Sequence, residues 1–131
     1  KQRGEHIDYL TFVPDGEPTL DSQLGRAIEL LRPLGIRIAV ITNTSLMDQA
    51  VVREALLLAD WVSLKVDAVT ESVWRRVDRP QRTLPLATLH AGMLDFAATF
   101  RGELATETMM VRDVNDSESE MAQVATFLRQ L

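Results

Sequence analysis

Four short runs rich in β-branched residues, each followed by a stretch of helical periodicity, constrain this chain more than any other feature. The runs are Ile7 to Val13, Arg37 to Thr42, Trp61 to Val66 and Glu103 to Val111. Each is short enough, between breakers, to be a buried strand. After the first, Leu24, Ile28 and Leu31 recur at i, i+4 and i+7, with Ala27 and Leu30 widening the apolar face of a helix. Pro33 and Gly35 end that helix, because proline cannot continue it and glycine accepts the left-handed position after it. Gln49 to Leu58 forms the second helical segment, with Ser45 or Asp48 available as its cap. A short piece, Glu71 to Val77, is broken by Arg79-Pro80, and a longer helix follows from Leu84 to Phe100 with Pro85 in its first turn. Ser117-Glu118-Ser119-Glu120 has capping-box spacing and opens a last helix that continues to Leu131. The order is therefore β-α-β-α-β-α-β-α. Strands separated by helices pair through crossovers and build a parallel sheet. Periodicity leaves two architectures open, a doubly wound sheet and part of a (β/α) barrel. Four units are too few to close a barrel of eight strands, so either the sheet is open or residues are missing.

The 131 residues are enough for one α/β domain, and 46% hydrophobic with 25% charged residues is ordinary globular composition. No apolar run approaches the ~20 residues of a membrane span, and the polar start has no apolar core of a secretory leader. A cytoplasmic protein without a membrane partner is the expectation. The net charge of −5 argues against a nucleic-acid grip within this segment, since phosphate binding needs clustered cations. Basic residues are dense only around Arg75, Arg76, Arg79 and Arg82. The absence of cysteine excludes disulfides, zinc–thiolate sites, a thiol nucleophile and any thiolate-held cluster within these residues. His6 and His90 are too few and too far apart for a metal site, so no metal ligand is assigned. His90 sits in an apolar helical pattern and carries no role.

In parallel α/β architectures, ligand sites lie at the carboxyl ends of the strands. That rule selects Pro14-Asp-Gly-Glu-Pro-Thr19, Thr42-Asn-Thr-Ser45, Asp67-Ala68 and Val114-Asn-Asp116. Inside otherwise apolar strands stand Thr11, Ser63, Lys65, Thr106 and Glu107. A charge within a parallel strand is costly unless paired or liganded, which makes Lys65 and Glu107 the most informative residues on physical grounds. Each has a plain structural reading beside the functional one. Gly16-Glu17-Pro18 suits a turn into a helix, Asn43 suits a left-handed turn position, and Lys65 with Glu107 suits a structural ion pair. Met109 and Met110 read as core filler.

The run Tyr9-Leu-Thr-Phe-Val-Pro-Asp-Gly-Glu-Pro-Thr-Leu20 resembles the second strand and following loop of radical S-adenosylmethionine (SAM) enzymes. The family's Gly-Gly-Glu-Pro motif stands here as Asp15-Gly16-Glu17-Pro18. Ile41-Thr-Asn43 resembles the end of the family's third strand, and Trp61-Val-Ser-Leu-Lys-Val-Asp67 its fourth. With Asp78-Arg79-Pro80 and Glu107-Thr-Met-Met-Val111, the pattern is similar to the branch of wyosine-base synthases and related bacterial Fe–S oxidoreductases. The resemblance implies a partial parallel (β/α) barrel spanning residues 1–131, truncated on its N-terminal and C-terminal sides. The family's three-cysteine motif belongs to the loop after a strand preceding Ile7, so the cysteine ligands of the [4Fe–4S] cluster are expected outside this chain.

The resemblance also implies the activity: reductive cleavage of SAM to a 5′-deoxyadenosyl radical that abstracts hydrogen from a substrate. It assigns cofactor binding to Gly16, Glu17, Pro18, Asn43, Ser63, Lys65 and Glu107, with Glu17 toward the SAM ammonium, Ser63 toward the ribose and Lys65 toward the carboxylate. No catalytic residue is assigned. RNA base modification is suggested by the relatives alone, and the chain by itself is expected to be inactive. Two other functions compete: a non-catalytic α/β ligand-binding or scaffold module, and a barrel lyase or aldolase using Lys65 as a Schiff-base amine. Bare strand edges predict self-association of the isolated chain.

Overall fold

A computed structural model describes residues 6–13 and 16–131. Pro14 and Asp15, at the front of the first strand-end loop, lie outside the described residues. Four strands form one sheet: β1 (Tyr9–Phe12), β2 (Arg37–Thr42), β3 (Trp61–Lys65) and β4 (Glu103–Glu107). All pairings are parallel and the spatial order is β1-β2-β3-β4. Between and after them come α1 (Leu24–Leu31), α2 (Ala50–Leu56), α3 (Glu71–Val77), α4 (Leu86–Thr99) and α5 (Glu118–Leu128).

The sequential strand order decides between the two architectures that periodicity left open. A doubly wound sheet reverses its order at a switch point, and this one does not. Right-handed crossovers that always advance in one direction put every helix on the same face. The core agrees: Ile38, Val40, Val62 and Leu64 join one buried cluster with Leu24 and Ile28 of α1, Leu56 of α2, Trp74 of α3, Met93 and Phe96 of α4 and Phe127 of α5. Burying each large side chain is worth about 1.5–3 kcal/mol. Alternate residues fall on the opposite face, where Tyr9 and Trp61 approach with ring centroids 6.4 Å apart and the Arg37 guanidinium lies 4.6 Å above the Tyr9 ring. The chain is a partial parallel (β/α) barrel whose helices cover only the outer side.

Several local expectations are corrected. β4 ends at Glu107 instead of Val111. Beyond it, the Thr108 hydroxyl donates to the Val66 carbonyl and the Met109 N–H to Asp67 Oδ1, so side-chain contacts replace the ladder. Met109 and Met110 are about half exposed there, not core filler. Neither Ser45 nor Asp48 caps α2, whose N-cap is Gln49. Pro33 is the second residue of a 3₁₀ turn, Arg32–Leu34, that Gly35 closes at φ 64°. Ser117 does accept from the Glu120 N–H at 3.2 Å. The Glu120 carboxylate, however, reaches across to the N–H groups of Val69 and Thr70 and to the Thr70 hydroxyl. The reciprocal half of the capping box is thereby exchanged for a tie between α5 and the β3–α3 loop. Gly92 on α4 makes the closest approach of any glycine among the described residues: a Cβ there would lie 1.9 Å from the Met47 carbonyl oxygen.

Candidate functional site

The carboxyl ends of β1, β2 and β3 are fastened to one another by polar side chains. Gly16 has φ 126°, a conformation L residues rarely adopt, and an added Cβ would meet no atom within 4 Å. Glu17, Pro18 and Thr19, immediately after it, are buried. Glu17 caps a 3₁₀ turn, Pro18–Leu20. Its Oε1 accepts from the Thr19 N–H at 3.1 Å, the Thr19 hydroxyl at 2.8 Å and the Thr42 hydroxyl at 2.6 Å. Its Oε2 accepts from the Asn43 N–H at 2.6 Å. Charge-assisted bonds of this kind are about twice as strong as neutral ones. One carboxylate thus joins the β1 loop to the end of β2, and Oε2 keeps room for one further donor.

At the end of β2 the left-handed position belongs to Thr44, at φ 65°, and not to Asn43. A β-branched residue there is strained, and its contacts hold it: the N–H donates to the Thr42 hydroxyl and its own hydroxyl to the Lys65 carbonyl. Asn43 is exposed and its Oδ1 accepts from the Ser45 N–H at 2.9 Å. Ser63 and Lys65 fall on the open face of β3 by the period of two. Ser63 is buried and Lys65 half-buried.

Lys65 and Glu107 are register partners on neighbouring strands, yet they form no ion pair. The Lys65 ammonium is ion-paired with Asp67 Oδ2 and lies 4.0 Å from Asp78 Oδ1. Glu107 is exposed, and its carboxylate takes no partner among the described residues. Asp67 is fully buried, and its Oδ1 accepts from the Met109 N–H at 2.7 Å. Asp78, at the end of α3, has its pKa raised to about 7. Burial is the largest cause, followed by a hydrogen bond to the Asp67 carboxyl and repulsion from its charge, while Lys65 pulls the other way. Sequence reasoning placed Asp67 at a strand end and quoted Asp78 in a motif, but assigned neither a role. The signal available for Asp67 was its spacing of two from Lys65; Asp78 needed the fold.

The rim therefore combines a glycine loop, a serine, a cation and strand-end backbone groups on the open face. The rim offers a ligand one hydroxyl, one ammonium and backbone polar atoms. It does not suit an iron–sulfur cluster, because the chain contains no thiolate ligand.

No family model matches the chain. It is 46% identical over 131 residues to a UPF0026 protein of Methanocaldococcus jannaschii, aligning along the whole of this chain and 41% of that protein. A GTPase Obg of Brachyspira hyodysenteriae is 31% identical over 128 residues, 97% of this chain and 19% of that protein. The chain thus spans less than half the length of these curated relatives. Among solved structures, a domain of pyruvate-formate lyase-activating enzyme from Bacteroides vulgatus superposes with a TM-score of 0.75 at 18% identity, covering 93% of this chain and 72% of that one. An archaeal TYW1 superposes with a TM-score of 0.72 at 18% identity, covering 93% of this chain and 40% of that one. At such identities the likeness establishes the fold.

Proposed function

We infer that this chain is the SAM-binding part of a radical SAM enzyme. The observation that carries the reading is the fastened rim, where the Gly16-Glu17-Pro18 loop is locked to the end of β2 beside Ser63 and Lys65 of β3. The two similar solved structures are radical SAM enzymes, which supports the same reading at the level of fold. Gly16 leaves its side open to a ligand, Ser63 offers a hydroxyl to a ribose, and Lys65 offers an ammonium to a carboxylate. Pro18 stiffens the turn by fixing its own φ. Glu17 holds the loop in place, and its one free acceptor position faces the ligand ammonium. Asn43 and Glu107, both exposed, flank the rim. SAM, when bound, supplies hydrogen-abstracting chemistry after reductive cleavage; the electron donor is a cluster whose thiolate ligands this chain does not contain. RNA as the substrate class rests on the wyosine-base resemblance and takes no support from the charge of −5.

The Schiff-base reading of Lys65 requires a free amine. The ammonium is instead ion-paired with two carboxyl groups.

The test is anaerobic reconstitution of the full-length protein, followed by incubation with SAM and dithionite. Formation of 5′-deoxyadenosine is the expected result. A protein that holds its cluster yet never cleaves SAM would overturn the reading.

A further inference from the structure

Lys65 does not stand alone at the end of β3. From the last residue of β3 comes its ammonium, from the loop two residues on the Asp67 carboxylate, from the end of α3 Asp78, and from α4 the ring of His90, around one small space that Thr44 closes from the β2–α2 loop. Asp67 is anchored through Oδ1 to the Met109 N–H. Its buried Oδ2 is ion-paired with the Lys65 ammonium. The second carboxyl, Asp78, lies 4.0 Å from the same ammonium. One cation between two carboxylates leaves a net negative cluster, and protonating one of them brings it to neutrality.

We propose that Asp67 and Asp78 are positioning residues for Lys65: together they hold its ammonium at the open end of β3, and the proton on Asp78 sets how much of that positive charge an anionic ligand group can use. The role rests on the SAM reading above, in which that group is the SAM carboxylate. An arriving carboxylate meets a neutral cluster when Asp78 is protonated and a net negative one when it is not. Binding is therefore linked to proton uptake, and affinity falls as the pH rises through the titration of Asp78. Asp78 is well placed for this, since burial, its hydrogen bond to Asp67 and the Asp67 charge raise its pKa to about 7. The His90 ring faces the same space, and burial holds its pKa below the ordinary value against the opposing charge of Glu71, which favours its neutral form.

The experiment has two arms on the full-length protein. In the first, without cluster or SAM, carboxyl-carbon NMR follows Asp78, with a midpoint expected near 7 in the native chain. In Asp67→Asn the midpoint moves down toward the ordinary carboxylate range. The asparagine keeps an oxygen for the Met109 N–H, so the fold survives. A native midpoint already in the ordinary range would overturn the proposal.

In the second arm, calorimetry on reconstituted protein reads SAM affinity against pH. The native Kd is expected to rise on the order of fivefold between about pH 6 and pH 8, if the bound ligand lifts the Asp78 titration by about one pH unit. Asp78→Asn flattens that profile and Asp78→Glu restores its slope. An unchanged slope in Asp78→Asn defeats the positioning role while leaving the SAM reading intact. A native protein that binds no SAM at any pH defeats both.

Discussion

Glu17 is buried because four donors converge on its carboxylate from two segments. Glu17→Gln keeps one oxygen but turns an NH₂ group toward the Asn43 N–H, leaving donor against donor. Breaking such charge-assisted bonds costs about 1.5–3 kcal/mol. Urea unfolding should show a loss of that size, whereas Glu29→Gln, at an exposed helical position, should stay within about 0.5 kcal/mol of the native chain. Asp78 makes a prediction of opposite character. Its folded pKa of about 7 stands above the ordinary 3.8, so between these values the native state binds more protons than the unfolded chain. The stabilisation from that proton is complete at low pH and is lost as the pH rises through 7. Asp78→Asn has no such loss, so denaturation at about pH 5 and pH 8 should find the variant gaining on the native chain at the higher pH.

At the scale of elements, the strands were legible because parallel strands covered by helices must be short, apolar and rich in branched side chains. β2 occupies the span its composition indicates, Arg37–Thr42. β4 is shorter than expected because Met109, Met110 and Val111 continue the apolar pattern after the ladder has stopped. Periodicity cannot see a side chain that captures a backbone N–H from another strand. The same blindness hid the partners of Lys65: Glu107 stands beside it in the register, but the carboxyls that reach it come from its own strand end and from the end of α3. Gly92 was silent too, since a helical glycine announces nothing until its neighbour is known. Gly92→Ala drives a methyl into the Met47 backbone, where no flexible side chain can yield. Overpacking of this kind costs about 1–3 kcal/mol or more. Thermal unfolding of Gly92→Ala should show a clearly lowered midpoint, and Gly25→Ala, whose Cβ would find ordinary contacts from 3.4 Å, should be milder.

For the whole molecule, the covered outer face and the open inner face divide stability from chemistry. The helices pack one side of the sheet, and the groups assigned to the ligand fall at the strand ends and on the other. The electron-donating cluster needs thiolates, and these 131 residues contain none. Anaerobic reconstitution of this chain alone, with iron and sulfide analysis, should therefore yield no stoichiometric cluster and no SAM cleavage. Retention of a full complement of iron and sulfide would show that other ligands suffice.

The strictly sequential strand order also governs how such a chain can be made. Among the described residues no strand pairs with any but its neighbours in sequence, so each strand–helix unit after the first finds its template already present when it leaves the ribosome. Synthesis and folding can then proceed in the same direction, one unit at a time. The exposed edge that would be a hazard in a finished sheet is, during translation, the growing end on which the next unit is laid.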